Sequence, residues 1–354
     1  MKMSKRRTKG YALALAALLV LPFLGLLQTQ AAKGIDVGHA CSLTVSVDIG
    51  AEAGGNDAYL EDFNKMSIPV SVYRVADVGV TGQDFTPVEP FGEMDFGKIS
   101  QKPAEVTATD WQELAQQAEA IRRKAEPEAA GEVEVQAEAG SAQPAQGTVS
   151  GLTPGLFLVV AGEVYNPDYT VQYHFTPYLT ALPSSDYTLA GSGSDEWVYD
   201  TTIGLKADAT PQLGRLNIVK TLQDFNETLG QATFVFHIVG VNKFGVTEYE
   251  EVESMTFSAA GSETVTLEDI PAGLSVTVTE VYSGASYTID GPDKDTALIW
   301  SEAAVSTGAA EEASVAFRNR YDGGNRGGYG VTNHFESDGE GGWEWENPTT
   351  PLEE

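Results

Sequence analysis

Three polar side chains stand where the strand pattern calls for apolar ones. In LEDIPAGLSVTVTEV, Leu267 to Val281, apolar and polar residues alternate as in a half-buried strand, and Glu280 falls on the side of Val276 and Val278. Leu216-Asn217-Ile218-Val219-Lys220 ends in a lysine on the face of Leu216 and Ile218, and Val315-Ala316-Phe317-Arg318-Asn319 ends in an asparagine on the face of Val315 and Phe317. A period of two turns all three inward, and burying any one of them alone is costly.

The cost is resolved if the three meet. Desolvation lowers an amine's pKa and raises a carboxyl's, so Lys220 and Glu280 can stand as neutral amine and neutral acid. The amine is then a nucleophile. The acid donates a hydrogen bond to the asparagine carbonyl, polarising it, and shuttles protons as ammonia leaves. Sandwich packing makes the attack intramolecular, and the product is an isopeptide crosslink between first and last strands. The alternative leaves Lys220 snorkelling to solvent, Glu280 at an edge and Asn319 capping a turn. Asn333, in Val331-Thr332-Asn333-His334-Phe335, is the second-choice acceptor if the last strand lies further on.

The elements around these residues occur twice. Leu152-Thr153-Pro154-Gly155-Leu156-Phe157-Leu158 matches Ile270-Pro271-Ala272-Gly273-Leu274-Ser275-Val276, and the upstream strands from Ser42 and Ile68 match those from Leu216 and Thr233. Two domains of related design follow. Short alternating strands broken by Gly, Pro, Asn and Asp clusters make each an antiparallel β-sandwich, an all-β architecture. The first domain, 41–208, carries a helical insertion with Trp111, Leu114, Ala118 and Ile121 at helical spacing, a capping box of Thr109 and Gln112, and Pro127 as its stop. That helix is expected to cover an open end of the sandwich. Glu128 to Gly147 reads as a mobile loop. The join is expected near Ala207-Asp208-Ala209-Thr210-Pro211, the second domain over 213–322, and a Gly-rich and acidic tail over 323–354. The repeat supplies an internal control: Val47 stands where Lys220 does and Gly162 where Glu280 does, so no such crosslink is expected in the first domain.

Residues 1–32 read as a secretory signal peptide: a basic start (Lys2, Lys5, Arg6, Arg7, Lys9), an apolar run from Tyr11 to Leu27, and small residues at Ala31-Ala32. Losing five of 21 basic residues leaves 16 against 51 acidic ones, a net charge of −35, which excludes nucleic acid and anionic lipid as partners. No stable membrane span is expected after cleavage. The single cysteine, Cys41, cannot close a disulfide within the chain; it reads as a small apolar residue leading into a strand. His39, His174, His237 and His334 lack metal-ligand spacing, and Asp290 to Asp295 lacks the alternation of a calcium loop and reads as a solvated turn. No phosphate loop, dinucleotide fingerprint or nucleophile elbow is present, so neither cofactor nor metal is expected.

On these residues the second domain resembles the collagen-adhesin B-type (Cna-B-like) domain of Gram-positive surface proteins. There a lysine on the first strand, a glutamate after an apolar-Thr run and an asparagine on the last strand form an isopeptide bond, and the resemblance implies those roles for Lys220, Glu280 and Asn319. The match spans about Leu213 to Tyr321. In GLTPGLFLVV, FTPYLTALP and EWVYDTTIGLKAD the first domain resembles the N-terminal domain of sortase-assembled pilins. The pilin motif of that family runs from a tryptophan to a linking lysine, and Trp197 to Lys206 has its spacing. Gly204 and Leu205 replace the usual tyrosine and proline, which makes Lys206 an ordinary exposed charge at a domain edge unless it links. The resemblance implies tandem immunoglobulin-like or Cna-B-like sandwiches in an exported, adhesive pilus-type subunit, with other pilus or cell-wall proteins and host extracellular matrix or glycan as partners. Its only chemistry would be single-turnover self-crosslinking. No LPXTG-like signal follows Trp345, so wall anchoring by sortase is not expected of the chain as written. The competing function class is a secreted, carbohydrate-active or other hydrolase with paired carboxylates in a cleft.

Overall fold

A computed structural model describes residues 34–47, 59–102, 105–138, 143–185, 196–324, 334–337 and 343–346. The signal-peptide reading and Asn333 lie outside the described residues. The described chain divides at Leu213/Gly214 into two compact units, with residues 301–306 grouped with the first. No described helix is long and apolar enough to cross a membrane.

The first unit is built from β1 (Cys41–Ser46), α1 (Leu60–Phe63), β2 (Ser67–Val78), β3 (Phe85–Pro87), α2 (Gly97–Gln101), α3 (Ala108–Ala125), β4 (Gly131–Gln136), β5 (Gln146–Leu152), β6 (Gly155–Ala161), β7 (Val164–Tyr165), β8 (Val171–Phe175), β9 (Tyr178–Leu182), β10 (Ser184–Ser185), β11 (Trp197–Val198), β12 (Asp200–Gly204) and β13 (Ala207–Pro211). Its main sheet runs β12-β1-β5-β4-β2-β6-β9, with β3 beside β2. The smaller sheet β13-β8-β7 and α1 face one side of it, around a core of Val45, Phe63, Val70, Tyr173 and Leu205. The other side buries Val75, Leu156 and Leu158 with Trp111, Ala115 and Ala118 of α3. With both faces covered, β6 is apolar in both phases, and β2 buries residues of both phases at Val72, Tyr73, Val75 and Ala76.

Three expectations change here. Helix α3 lies across β6 and β9, on a sheet face rather than at an open end. Its cap is Thr107, whose hydroxyl accepts from the Asp110 amide at 3.3 Å while the Asp110 carboxylate accepts from the Thr107 amide at 2.8 Å. Asp110 reaches back as a glutamate would, so the cap lies two residues before Thr109 and the helix starts at Ala108. Within Glu128 to Gly147, GEVEVQ forms β4, paired along β2 from Ser67↔Gln136 to Val72↔Gly131; Val135 is buried while Glu132 and Glu134 face outward. Ala207–Pro211, near which the join was expected, forms β13, antiparallel to β8, and the division into units falls just beyond it at Leu213/Gly214.

The second unit is a sandwich of two four-stranded sheets. Its strands are β14 (Leu213–Leu222), β15 (Ala232–Val241), β16 (Thr247–Phe257), β17 (Gly261–Pro271), β18 (Ser275–Tyr282), β19 (Tyr287–Ile289), β20 (Lys294–Leu298) and β21 (Ala313–Tyr321). The sheets are β17-β14-β21-β19 and β16-β15-β18-β20. Between them Leu216, Ile218, Phe234, Phe236, Ile238, Val276, Val278, Val315 and Phe317 form one apolar core. Neither sandwich is wholly antiparallel: the first strand of each unit pairs in parallel with a late one, β1 with β12 and β14 with β21. In the tail, β22 (His334–Ser337) pairs antiparallel with β23 (Trp343–Glu346), two strands where one was expected.

Candidate crosslink site

Strand periodicity delivers the three residues to one point in the second unit. β14 buries Gly214, Leu216, Ile218, Lys220 and Leu222, and β21 buries Ala313, Val315, Phe317 and Asn319. In the parallel register Lys220 is opposite Phe317 and Leu222 opposite Asn319, so Lys220 and Asn319 are diagonal neighbours on one face, a separation a lysine stem spans. Glu280 comes from the facing sheet. There β18 carries an extra residue: Phe236 pairs with Glu280 but Val235 pairs with Tyr282. Glu280 is inward in phase with Val276 and Val278, and the bulge that follows it leaves Val281 exposed to solvent.

The three side chains form a closed triangle. Lys220 Nζ donates to Glu280 Oε2 at 2.5 Å and to Asn319 Oδ1 at 2.6 Å, and Asn319 Nδ2 donates to Glu280 Oε1 at 2.6 Å and to the Ser283 carbonyl at 3.2 Å. Lys220 and Asn319 are 0% exposed and Glu280 5%. Rings enclose the amine: Phe234 is centred 4.5 Å and Phe236 5.5 Å from Nζ, and Phe317 packs on Phe236. Burial drives the Lys220 pKa down and the Glu280 pKa up, with the hydrogen bond between them acting the other way on each. Both shifts move the proton from amine to acid.

One part of the expected arrangement differs. The carboxyl faces the amide nitrogen of Asn319, not its carbonyl, which turns to Lys220. Glu280 Oε1 and the Ser283 carbonyl lie together on that side as acceptors, so the N–H bonds are drawn to them. The bulge and the Ser283 contact escaped sequence reasoning. The turn that follows, Ser283-Gly284, was their only visible signal.

Lys206 lies between β12 and β13. It is half-buried rather than exposed, its amine pKa is lowered by burial, and its carbonyl accepts from the Thr176 amide at 3.2 Å. Trp197 packs over Gly82, where φ is +77 and a Cβ would come within 2.2 Å of the indole. In the first unit Val47 is fully buried, Gly162 packs against Pro69, and no lysine is among the buried residues described. Cys41 is buried at the start of β1, which with Asp200 pushes its thiol up to about 11. His174 and His237 pair with Glu163 and Glu250, and Asp290 accepts from Gln223. Among the described residues no group of His, Cys, Asp and Glu could hold a metal ion.

Paired carboxylates do line one surface dent of about 320 Å³: Glu132 and Glu134 on β4, beside Pro69 and Ser71. Both are exposed and each accepts from a serine, Ser71 and Ser67. Hydrolytic acid/base chemistry needs two carboxyls in contrasting surroundings, and these two share one.

A family model described as a domain of unknown function (DUF5979) matches residues 216–322, from within β14 to just beyond β21. No curated protein matches the chain. Among solved structures, the chain is similar to GBS52, the minor pilin of the Gram-positive pathogen Streptococcus agalactiae, at 12% identity over 79% of this chain and 96% of that one, TM-score 0.23. It is similar to the full-length major pilin SpaD from Corynebacterium diphtheriae at 12% identity over 82% and 99%, TM-score 0.27. It is likewise similar to the SpaE basal pilin from Lactobacillus rhamnosus GG at 12% identity over 79% and 99%, TM-score 0.30.

Proposed function

We propose that the chain is an exported structural protein of the cell surface, a pilus-type subunit, whose second unit ties β14 to β21 through a Lys220–Asn319 isopeptide bond. The observation that carries this reading is the buried contact of amine, carboxyl and carboxamide at 2.5–2.6 Å. A buried ion pair is poor value as a stabiliser, since its desolvation offsets its attraction. As a reaction centre the same arrangement is well made.

Glu280 takes a proton from Lys220 on Oε2. The neutral amine attacks Cγ of Asn319, the acid delivers its proton to the departing Nδ2, and Glu280 takes up the second proton that Nζ sheds as the amide forms. An Nζ–Cγ bond forms, the Cγ–Nδ2 bond breaks and ammonia leaves, with Glu280 left as the neutral acid. Water and cofactor take no part. Packing fixes the reactants in contact, which supplies a large effective molarity, and the dry surroundings favour the neutral pair the attack requires. The reaction runs once per chain.

The surface role and its partners, other subunits or wall proteins and a host matrix or glycan, follow from the motifs of the first unit, with Lys206 as the amine offered for linkage. Intact-mass measurement of the purified full chain tests the chemistry. The expected result is a mass short by one ammonia, with a fragment joining Lys220 to Asn319 after digestion. A folded chain of full mass overturns it.

A further inference from the structure

We infer that the backbone carbonyl of Ser283, aimed by Gly284, is a positioning group that sets the direction of the crosslinking reaction; the inference rests on the crosslinking reading above. A carboxamide fits its site in two ways, related by exchange of oxygen and nitrogen. Only one serves the reaction, because the leaving nitrogen must face Glu280 to receive its proton.

Glu280 cannot enforce that orientation alone. As a carboxylate it accepts from Nδ2, but once it has taken the Lys220 proton it is also a donor, and its O–H can pair with Oδ1 of a flipped amide. The attack occurs in that protonated state. The Ser283 carbonyl, 3.2 Å from Nδ2, has no proton to gain and stays an acceptor in both states. It therefore holds the nitrogen on the Glu280 side while the proton is in transit. The two acceptors read the two N–H bonds of Asn319, one each.

The turn that presents this carbonyl is built for it. Gly284 has φ +84, a conformation L side chains rarely adopt. A Cβ there would lie 3.0 Å from Tyr287 Cδ2 and 3.6 Å from Phe234 Cε1, and Phe234 is the ring that covers the Lys220 amine. Tyr287 anchors the turn: its carbonyl accepts from Ser283 Oγ at 3.4 Å, and its ring packs edge-on to Phe234. Glycine at 284 thus lets the chain pass close to the reacting groups with the Ser283 carbonyl turned inward.

Cell-free synthesis of the full chain, sampled over time for loss of ammonia by intact mass, tests this. Gly284→Ala strains the turn and is expected to close about tenfold more slowly, the effect of one ordinary hydrogen bond. Gly284→Asn, whose side chain tolerates positive φ, recovers part of the rate. Closure of Gly284→Ala at the parent rate overturns the inference. A second measurement decides the matter even if Gly284→Ala does not fold: in the full chain with Lys220→Met, which cannot close, NMR should show both Asn319 side-chain amide protons protected from exchange. One protected proton or none overturns the positioning role. A parent chain that never loses ammonia sinks the crosslinking reading instead, and the exchange measurement still reports on the clamp.

Discussion

Glu280→Gln removes the proton shuttle with little change of shape, so it separates the bond from the packing around it. The variant should fold, keep its full mass and lose the covalent tie. Lys220 and Asn319 are 99 residues apart, and closing a loop of about that length removes enough chain entropy from the unfolded state to contribute roughly 4.7 kcal/mol in the chain-entropy model. For a unit of this size each kcal/mol moves Tm by about 4–8 °C, so the second unit should melt roughly 20–40 °C lower. Differential scanning calorimetry of parent and variant full chains reads the shift, and intact mass reads the bond. Asn319→Ala, also unable to close, should melt within a few degrees of Glu280→Gln, because the missing bond dominates both. The reasoning fails if Glu280→Gln shows the same mass deficit as the parent, or if both are open and closed as expected yet melt together.

Other predictions concern the scaffold. Thr107→Ala breaks the capping box of α3 and should cost about 1 kcal/mol, read from chemical denaturation of the first unit. Lys98 and Thr107 hold the Asp110 pKa down to about 2. A carboxyl depressed on folding lends stability above its unfolded pKa of about 3.9 and loses it as pH falls toward 2, so amide exchange in the first turn of α3 should quicken across that window. Gly214→Ala should cost about 3 kcal/mol or more by calorimetry, because its Cβ would meet the Trp300 carbonyl without room to yield. Burial lowers the Lys206 pKa, so pH-dependent acetylation followed by peptide mass analysis should half-label Lys206 below the pH expected of a free lysine; labelling only at the free-lysine pH refutes this.

Period-two alternation sufficed to place Lys220, Glu280 and Asn319 in the interior, because each lies at the end of a strand whose preceding apolar residues fix the phase. The same rule says nothing about an inserted residue, so the bulge at Glu280–Val281 and the swing of Ser283 toward Asn319 were signalled only by the Ser283-Gly284 turn. β4 was hidden by composition: its Glu and Gln residues suggest a loop, and the pairing with β2 that makes GEVEVQ a strand is long-range. The cap of α3 was misplaced by two residues because threonines precede both candidate starts and only the fold selects between them. Parallel pairing of β1 with β12 and of β14 with β21 has no local signature at all.

That parallel pairing decides how the second unit meets a pull. β14 enters the sandwich and β21 leaves it side by side and in the same direction, with seven residue pairs from Leu216↔Ala313 to Leu222↔Asn319. Tension drawn through the two ends slides one strand along the other, so the rungs between them resist together instead of unzipping in turn. With Lys220 joined to Asn319, the load crosses from strand to strand through a covalent link, and the length of chain folded between those two residues is spared extension.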